Sequence, residues 1–154
     1  MTAAPPTAAL ISPAFLGVLG TGVGAILLYA VLGVLLLLLG FYLVDLSTPG
    51  KLNELVRAGR PGAVVVTAAG MISMALIVVT AIYTSSGYLL EGLVQTIVFG
   101  LVGILAQIAA VRLVEWVLRI DVRAVLADER LGAQSFVIAA AHLAIGLVVA
   151  FAII

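Results

Sequence analysis

Long apolar runs separated by short polar stretches form the dominant pattern along this chain of 154 residues. A transmembrane helix needs roughly 20 apolar residues, because it rises about 1.5 Å per residue and the hydrocarbon core is about 30 Å thick. No run alternates in polarity, as the strands of a membrane barrel would. The pattern predicts an all-α membrane protein with four transmembrane helices, at about Phe15 to Val44, Gly62 to Tyr83, Tyr88 to the residue before Arg119, and Ala133 to Ile154.

These runs divide the chain into three parts. Residues 1–14 contain three prolines and are predicted to form an irregular tail. Residues 15–84 form a first transmembrane hairpin, and residues 88–154 form a second. A cleaved signal peptide is the alternative for the first run, but no basic residue precedes the run and it is too long. We therefore interpret it as a helix of the mature protein.

The positions of Lys and Arg predict the orientation. Lys51, Arg57 and Arg60 lie in the first long connection, and Arg119, Arg123 and Arg130 lie in the second. The tail, the connection near residues 85–87 and the C-terminus contain neither residue type. Since basic residues concentrate in cytoplasmic loops, both long connections are predicted to be cytoplasmic and both termini to face outward.

Composition narrows the chemistry. Hydrophobic residues make up 65% and charged residues 9%, against about 25% charged residues in soluble domains, so a water-soluble domain is excluded. The net charge is zero, which argues against a nucleic-acid partner and leaves the lipid bilayer as the expected partner. The absence of cysteine excludes thiolate metal sites, and we predict neither a metal nor a cofactor.

The two hairpins share a sequence pattern. The motif Arg-x-Gly-Ala opens each return helix, and an acidic residue, Asp45 or Asp121, follows each outgoing helix. This predicts two parallel hairpin repeats related by an axis along the membrane normal. The repeat motif consists of Arg60, Gly62, Ala63, Arg130, Gly132 and Ala133.

The first connection also resembles a known family. The stretch Val44 to Leu52, which reads VDLSTPGKL, is followed by the small-residue return helix Ala63 to Gly70 and by the second hairpin. It is similar to the YjfL-like family of bacterial inner-membrane proteins, the domain of unknown function three-fifty. The resemblance covers about residues 25–154. It implies an inner-membrane protein with two hairpin repeats and no established biochemical activity.

A few polar residues lie within the predicted helices. His142 is the only histidine and lies near the middle of the fourth helix, and Gln107 lies deep in the third. Intramembrane polar groups mark ion or proton pathways or bond across a bundle. Glu91 and Gln95 lie one turn apart at the outer end of the third helix, but Gln107 is about 120° round from Gln95. The candidate intramembrane polar site is therefore His142, Gln107, Gln95 and Glu91, and a continuous pathway would need bridging hydroxyls from Thr67, Ser73 or Thr80.

Charges at the other end of the third helix suggest an interfacial anchor. Arg112, Glu115 and Arg119 are spaced three and four residues apart, so they share one helix face and are predicted to form an ion pair along it. The two long connections at the same end of the bundle contain apolar residues between charges, in Lys51 to Arg57 and in Val122 to Leu131. Each is either a plain connector or a short helix lying flat on the membrane.

Glycines in the first helix predict close helix packing. Gly20 and Gly24 have the spacing that lets two helix backbones approach each other, and Gly33 and Gly40 extend the set. Packing inside one molecule and a seam between two copies would both use this spacing.

Two functional hypotheses follow from these residues. The first is a non-catalytic membrane component that associates with itself or with another membrane protein. The second is a small ion or proton channel or transporter subunit that uses His142, Glu91 and Gln107. No catalytic arrangement of side chains is visible, so an enzyme is not expected. Convergence of His142 and Gln107 on a hydrated cavity would favour the second hypothesis.

Overall fold

Six helices make up the described part of the chain. The computed structural model describes residues 13–47, 51–85 and 87–154, and these contain no β-strand. The helices are α1 (Pro13–Ser47), α2 (Leu52–Arg57), α3 (Pro61–Tyr83), α4 (Leu89–Leu118), α5 (Val122–Ala127) and α6 (Ala133–Ile153). Helices α1, α3, α4 and α6 are long and apolar enough to cross a membrane. The predicted all-α fold with four transmembrane helices is therefore confirmed.

The helix ends follow the local sequence. Helix α1 begins at Pro13, two residues inside the predicted tail, while the rest of that tail and residues 48–50 lie outside the described residues. Helix α3 also begins with a proline, Pro61. Proline suits a first helical position because its fixed φ matches the helix and its missing N–H is not needed there.

Helices α3 and α6 form the centre of the bundle. They run in the same direction, and their contact is the most extensive between any two elements of the described chain. Helix α3 buries a continuous face of small and medium side chains from Gly62 to Ala81. Helices α1 and α4 pack against this central pair, and Leu36 of α1 meets Met74 and Ile104 in a buried cluster.

The two connections form a second apolar cluster at one end of the bundle. Helices α2 and α5 each have six residues. The carboxylate of Asp45 accepts the N–H of Asn53 at 2.9 Å, and that of Asp121 accepts the N–H of Ala124 at 3.1 Å. The buried side chains are Leu52, Ala63, Val66, Val122, Val125, Leu126 and Ile138. The connections therefore contain short helices whose apolar side chains cover the bundle end.

Both halves of the chain have the same element order, a long helix, a six-residue helix and a long return helix. A relation between them by an axis along the membrane normal stays a prediction.

Candidate functional site

Three helices meet at a polar cluster, which comprises Ser73, Gln107 and His142. The hydroxyl of Ser73 donates to the backbone carbonyl of His142 at 2.8 Å. The amide nitrogen of Gln107 donates to Ser73 Oγ at 2.6 Å and to the same carbonyl at 3.1 Å. All three residues are buried. The cluster therefore joins α3, α4 and α6 by hydrogen bonds inside an otherwise apolar bundle.

Glycines make room for the polar cluster. A methyl group on Gly70 would lie 3.2 Å from His142 Nδ1. A methyl group on Gly146 would overlap the Ser73 hydroxyl and lie 3.0 Å from the Ser73 Cα atom. Because these positions lack a Cβ, α3 and α6 approach closely enough for the Ser73 side chain to reach the α6 backbone.

A small cavity leads from the polar cluster toward the charged connections. It is lined by Ser47, Gly70, Gln107, Arg112, Glu115 and His142 together with apolar side chains. Its volume is about 20 Å³, which exceeds the roughly 10–15 Å³ that one water molecule needs. The amide oxygen of Gln107 is buried and has no hydrogen-bond partner among the described residues. The cavity therefore has room for one water molecule.

Arg112 and Glu115 stand at the outer part of this cavity. Their side chains form an ion pair at 3.4 Å, with Arg112 46% exposed and Glu115 18% exposed. Arg119 does not continue their row, because it lies past the end of α4 with φ at 51°. The backbone N–H of Arg119 donates to the Glu115 carbonyl at 3.0 Å. Within the part of the chain that is described, no ion pair joins the side chains of these two residues.

Glu91 and Gln95 lie at the opposite end of α4. Glu91 is exposed and Gln95 is half-buried. Sixteen residues of helix, about 24 Å, separate Glu91 from Gln107. The interval contains the buried Thr96, but apolar contacts close it nearer to Gln107: Leu36 packs on Gly100 at 2.9 Å from where a Cβ would be, and Ile77 packs on Gly103. The structure thus does not bring Glu91 and Gln95 to the polar cluster.

The predicted bridging hydroxyls differ in their contacts. Ser73 is part of the polar cluster, whereas Thr80 donates to the carbonyl of Leu76 in its own helix at 2.8 Å. The hydroxyl of Thr67 is buried without a partner among the described residues. Thr67 lines a second small space beside His142.

The two copies of the repeat motif have different surroundings. Gly62 and Ala63 are buried, and a methyl group on Gly62 would lie 2.8 Å from the Val125 carbonyl. In the second copy, Arg130 and Ala133 are exposed, and nothing lies within 4 Å of a Cβ added to Gly132. Arg60 bonds Glu129 of the other connection at 2.8 Å.

The four glycines of the first helix that were predicted to pack divide into two pairs. Gly33 packs against Val78 and Ile82 of α3, and Gly40 packs against Met74 of α3 and Ile104 of α4. Nothing in the described chain lies within 4 Å of a Cβ added to Gly20 or Gly24. Packing inside one molecule therefore uses Gly33 and Gly40 and leaves Gly20 and Gly24 open.

Sequence reasoning missed Ser73, Gly70 and Gly146 as a set. A signal for them exists in the sequence of α6, where small residues and His142 follow one another three or four positions apart. The row is Ser135, Ala139, His142, Gly146 and Ala150. Small residues in such a row indicate a close helix contact.

Comparison with known proteins places the chain in a family. The family model described as Domain of Unknown Function (DUF350) matches residues 18–153. The chain belongs to this family. This confirms the resemblance drawn from the stretch Val44 to Leu52. The DUF350 match covers α3, α4 and α6 completely and all of α1 except its first five residues.

Curated relatives of this DUF350 protein have transmembrane names without an activity. It is 38% identical over 133 residues to a UPF0719 transmembrane protein of Mycolicibacterium paratuberculosis, covering 86% of this chain and 88% of the relative. It is 42% identical over 80 residues to the UPF0719 transmembrane protein Mb2631 of Mycobacterium bovis, covering 51% of this chain and 53% of that one. No solved structure matches the chain significantly. The relatives support a membrane-embedded protein of an uncharacterised family.

Proposed function

We propose that this DUF350 protein is a non-catalytic component of the bacterial cytoplasmic membrane that self-associates through the first half of α1. The observation that carries the proposal is the segment Pro13–Leu28. Almost all of its residues are exposed, and it contains no charged residue.

This segment extends past the other helices. The hydroxyl of Tyr29 lies 3.3 Å from that of Ser85, and Ser85 follows the end of α3 at Tyr83. The sixteen residues before Tyr29 therefore continue for about 24 Å beyond the outer end of α3.

Charges on α4 indicate where the bilayer ends. Glu91 and Arg112 are 21 positions apart, which corresponds to about 32 Å of helix and matches a hydrocarbon core of about 30 Å. Leu36 packs on Gly100 and Gly40 packs on Ile104, a register that sets Glu91 level with Leu27. Most of the segment Pro13–Leu28 therefore lies beyond the outer edge of the hydrocarbon core. Its apolar surface needs a partner other than lipid tails.

A second copy of the same segment is a suitable partner, because its surface is also apolar. Glycine in a helix costs about 1 kcal/mol relative to alanine, and close backbone approach by another helix compensates for this cost. Gly20 and Gly24 are open to such an approach. Two identical segments are equally apolar and uncharged, so they pair by a two-fold axis without leaving a charge unpaired.

Disulfide crosslinking tests this role, because the chain contains no cysteine of its own. Thr21→Cys places a thiol beside Gly20 and Gly24; the Thr21 hydroxyl it replaces bonds only backbone carbonyls of α1. Leu38→Cys is the matched control, on an exposed position of the same helix. Oxidation in native membranes is expected to give a dimer with Thr21→Cys and little with Leu38→Cys, and Gly24→Val is expected to reduce the dimer. Equal crosslinking at both positions, monomer alone, or a product with a different protein contradicts the proposal.

A proton or ion pathway is the second candidate function. The convergence of Gln107 and His142 on one cavity supports it, whereas the packing of Leu36 on Gly100 and Ile77 on Gly103 argues against a path across the whole bundle. Flux measured in reconstituted vesicles tests it: flux above that of empty vesicles, abolished by His142→Ala, supports a pathway, and flux equal to empty vesicles contradicts it.

The proposed orientation has both long connections in the cytoplasm and both termini outside. The basic residues of those connections support it. A reporter active only in the periplasm, fused after Ile154, is expected to be active, and an inactive fusion with an active cytoplasmic reporter at the same position contradicts the orientation.

A further inference from the structure

His142 borders three separate small spaces in the described bundle. The first has a volume of about 20 Å³ and is shared with Gln107 and Glu115. The second, of about 10 Å³, is shared with Thr67. The third, also of about 10 Å³, is shared again with Glu115. His142 therefore lies beside unfilled space, although the residue is only 5% exposed.

The largest of the three spaces has polar residues in its lining. Gln107, Glu115 and His142 all line it. The amide nitrogen of Gln107 is used by two hydrogen bonds within the bundle, whereas the Glu115 side chain keeps 18% of its surface exposed. One water molecule in the space therefore has an acidic residue and a histidine among the residues around it.

The space is accessible from one end of the bundle. Its outer lining includes Ser47, the last residue of α1, and the half-exposed Arg112. Its inner end is closed by Gly70 and Met74 and by the apolar packing at Gly103 beyond them. Apart from His142, the charged or titratable residues that line the three spaces are Arg112 and Glu115, both on α4; α1, α2, α3 and α5 contribute none.

We propose that this space is a binding site for one water molecule, through which Glu115 exchanges a proton with His142 from the side of the charged connections. The Glu115 carboxylate takes a proton from water outside and passes it to the bound water. The bound water gives one of its own protons to an imidazole nitrogen and so keeps its composition. The reverse sequence returns the proton. The site is one-sided, because the packing of Leu36 on Gly100 and of Ile77 on Gly103 lies between it and Glu91.

This inference does not depend on self-association through α1. It also differs from a transmembrane pathway, because it requires no flux across the bilayer.

The experiment uses the full chain in lipid bilayers with isotope-labelled histidine. His142 is the only histidine, so a purification tag without histidine leaves a single imidazole signal in solid-state NMR. Transfer of magnetisation from water to the ring of the unmodified protein is expected. Absence of this transfer overturns the proposal without any variant.

Two pairs of variants then test the route. Glu115→Gln is expected to slow exchange of the ring proton with water roughly tenfold or more, since a positioned acid–base group speeds proton transfer by roughly 10²–10⁴. Glu91→Gln, at the other end of α4, is the control and is expected to leave exchange unchanged.

Val111→Ile adds a methyl group beside the first and third spaces and is expected to reduce the transfer from water, whereas Val117→Ile on the exposed face of α4 is expected to have no effect. Equal effects within either pair overturn the assigned route.

Discussion

Replacing Gly146 by alanine tests the central contact between α3 and α6 most directly. The added methyl group would overlap the Ser73 hydroxyl and lie 2.8 Å from Ser73 Cβ and 3.0 Å from Ser73 Cα. Favourable contacts between carbon atoms are about 3.5–4.0 Å long. Because the Cα atom belongs to the backbone, a side-chain rotation cannot relieve the clash, and the two helices must separate by roughly 0.5–1 Å.

The expected loss of stability has two sources. Extra volume in a well-packed core costs about 1–3 kcal/mol. Separation of the helices also weakens the hydrogen bonds of Ser73 and Gln107 to the His142 carbonyl, and each interhelical bond in a membrane contributes about 0.6 kcal/mol. Since alanine also gains about 1 kcal/mol of helix propensity over glycine, we expect the free energy of unfolding of Gly146→Ala to fall by about 1–3 kcal/mol.

Unfolding by sodium dodecyl sulfate in mixed micelles, followed by circular dichroism, measures this change. Gly22→Ala is the matched control, because nothing lies within 4 Å of the added Cβ, and it is expected to gain up to about 1 kcal/mol from helix propensity. Ser73→Gly combined with Gly146→Ala removes the overlaps with the Ser73 side chain and is expected to recover part of the loss. If Gly146→Ala unfolds at the same detergent fraction as Gly22→Ala, the described register of α3 against α6 is wrong.

Three further substitutions test other contacts, each through the same measurement of unfolding free energy. Gln107→Leu is expected to cost about 1 kcal/mol, because it removes two interhelical hydrogen bonds of about 0.6 kcal/mol each; a loss above about 3 kcal/mol would indicate that Leu does not fit the site. Asp121→Ala is expected to cost about 1 kcal/mol as the loss of a helix cap, whereas Asp121→Asn, which keeps an acceptor, is expected to cost little; equal losses would rule out the cap. Arg60→Ala is expected to cost less than about 1 kcal/mol, because its partner Glu129 is 84% exposed and such pairs contribute little; a loss that persists in high salt would show that the pair is not the cause.

Much of the architecture is predictable from the sequence, for a physical reason. Lipid offers no hydrogen bonds to a backbone, so an apolar run of sufficient length must be helical. The uncharged run that contains Leu35 to Leu39 and the run Ala133 to Ile154 each identify a helix by length alone. The predicted starts and ends of the long helices differ from the structure by up to three residues, and the largest difference is at the end of α1, which is Ser47 and not Val44.

The candidate site is only partly predictable. The sequence identifies Gln107 and His142 as polar residues at membrane depth, because any polar side chain is conspicuous in an apolar run. It names Ser73 only as one of three candidate bridging hydroxyls, and nothing in the sequence of α3 distinguishes Ser73 from Thr67 or Thr80 as their partner. The shared carbonyl of His142 is a backbone group, and no residue type indicates its use as an acceptor.

The sequence by itself determined that the protein lies in a lipid membrane, how many helices are long enough to span it, and where the two charged connections are. These features depend on the length of apolar runs and on where charges are absent. Only the tertiary structure decided which glycines pack, which polar groups meet and where space remains. Gly20 and Gly40 are alike as residues, yet only Gly40 lies against a neighbouring helix. Such differences depend on the register between helices, which is set by contacts between residues far apart in the chain.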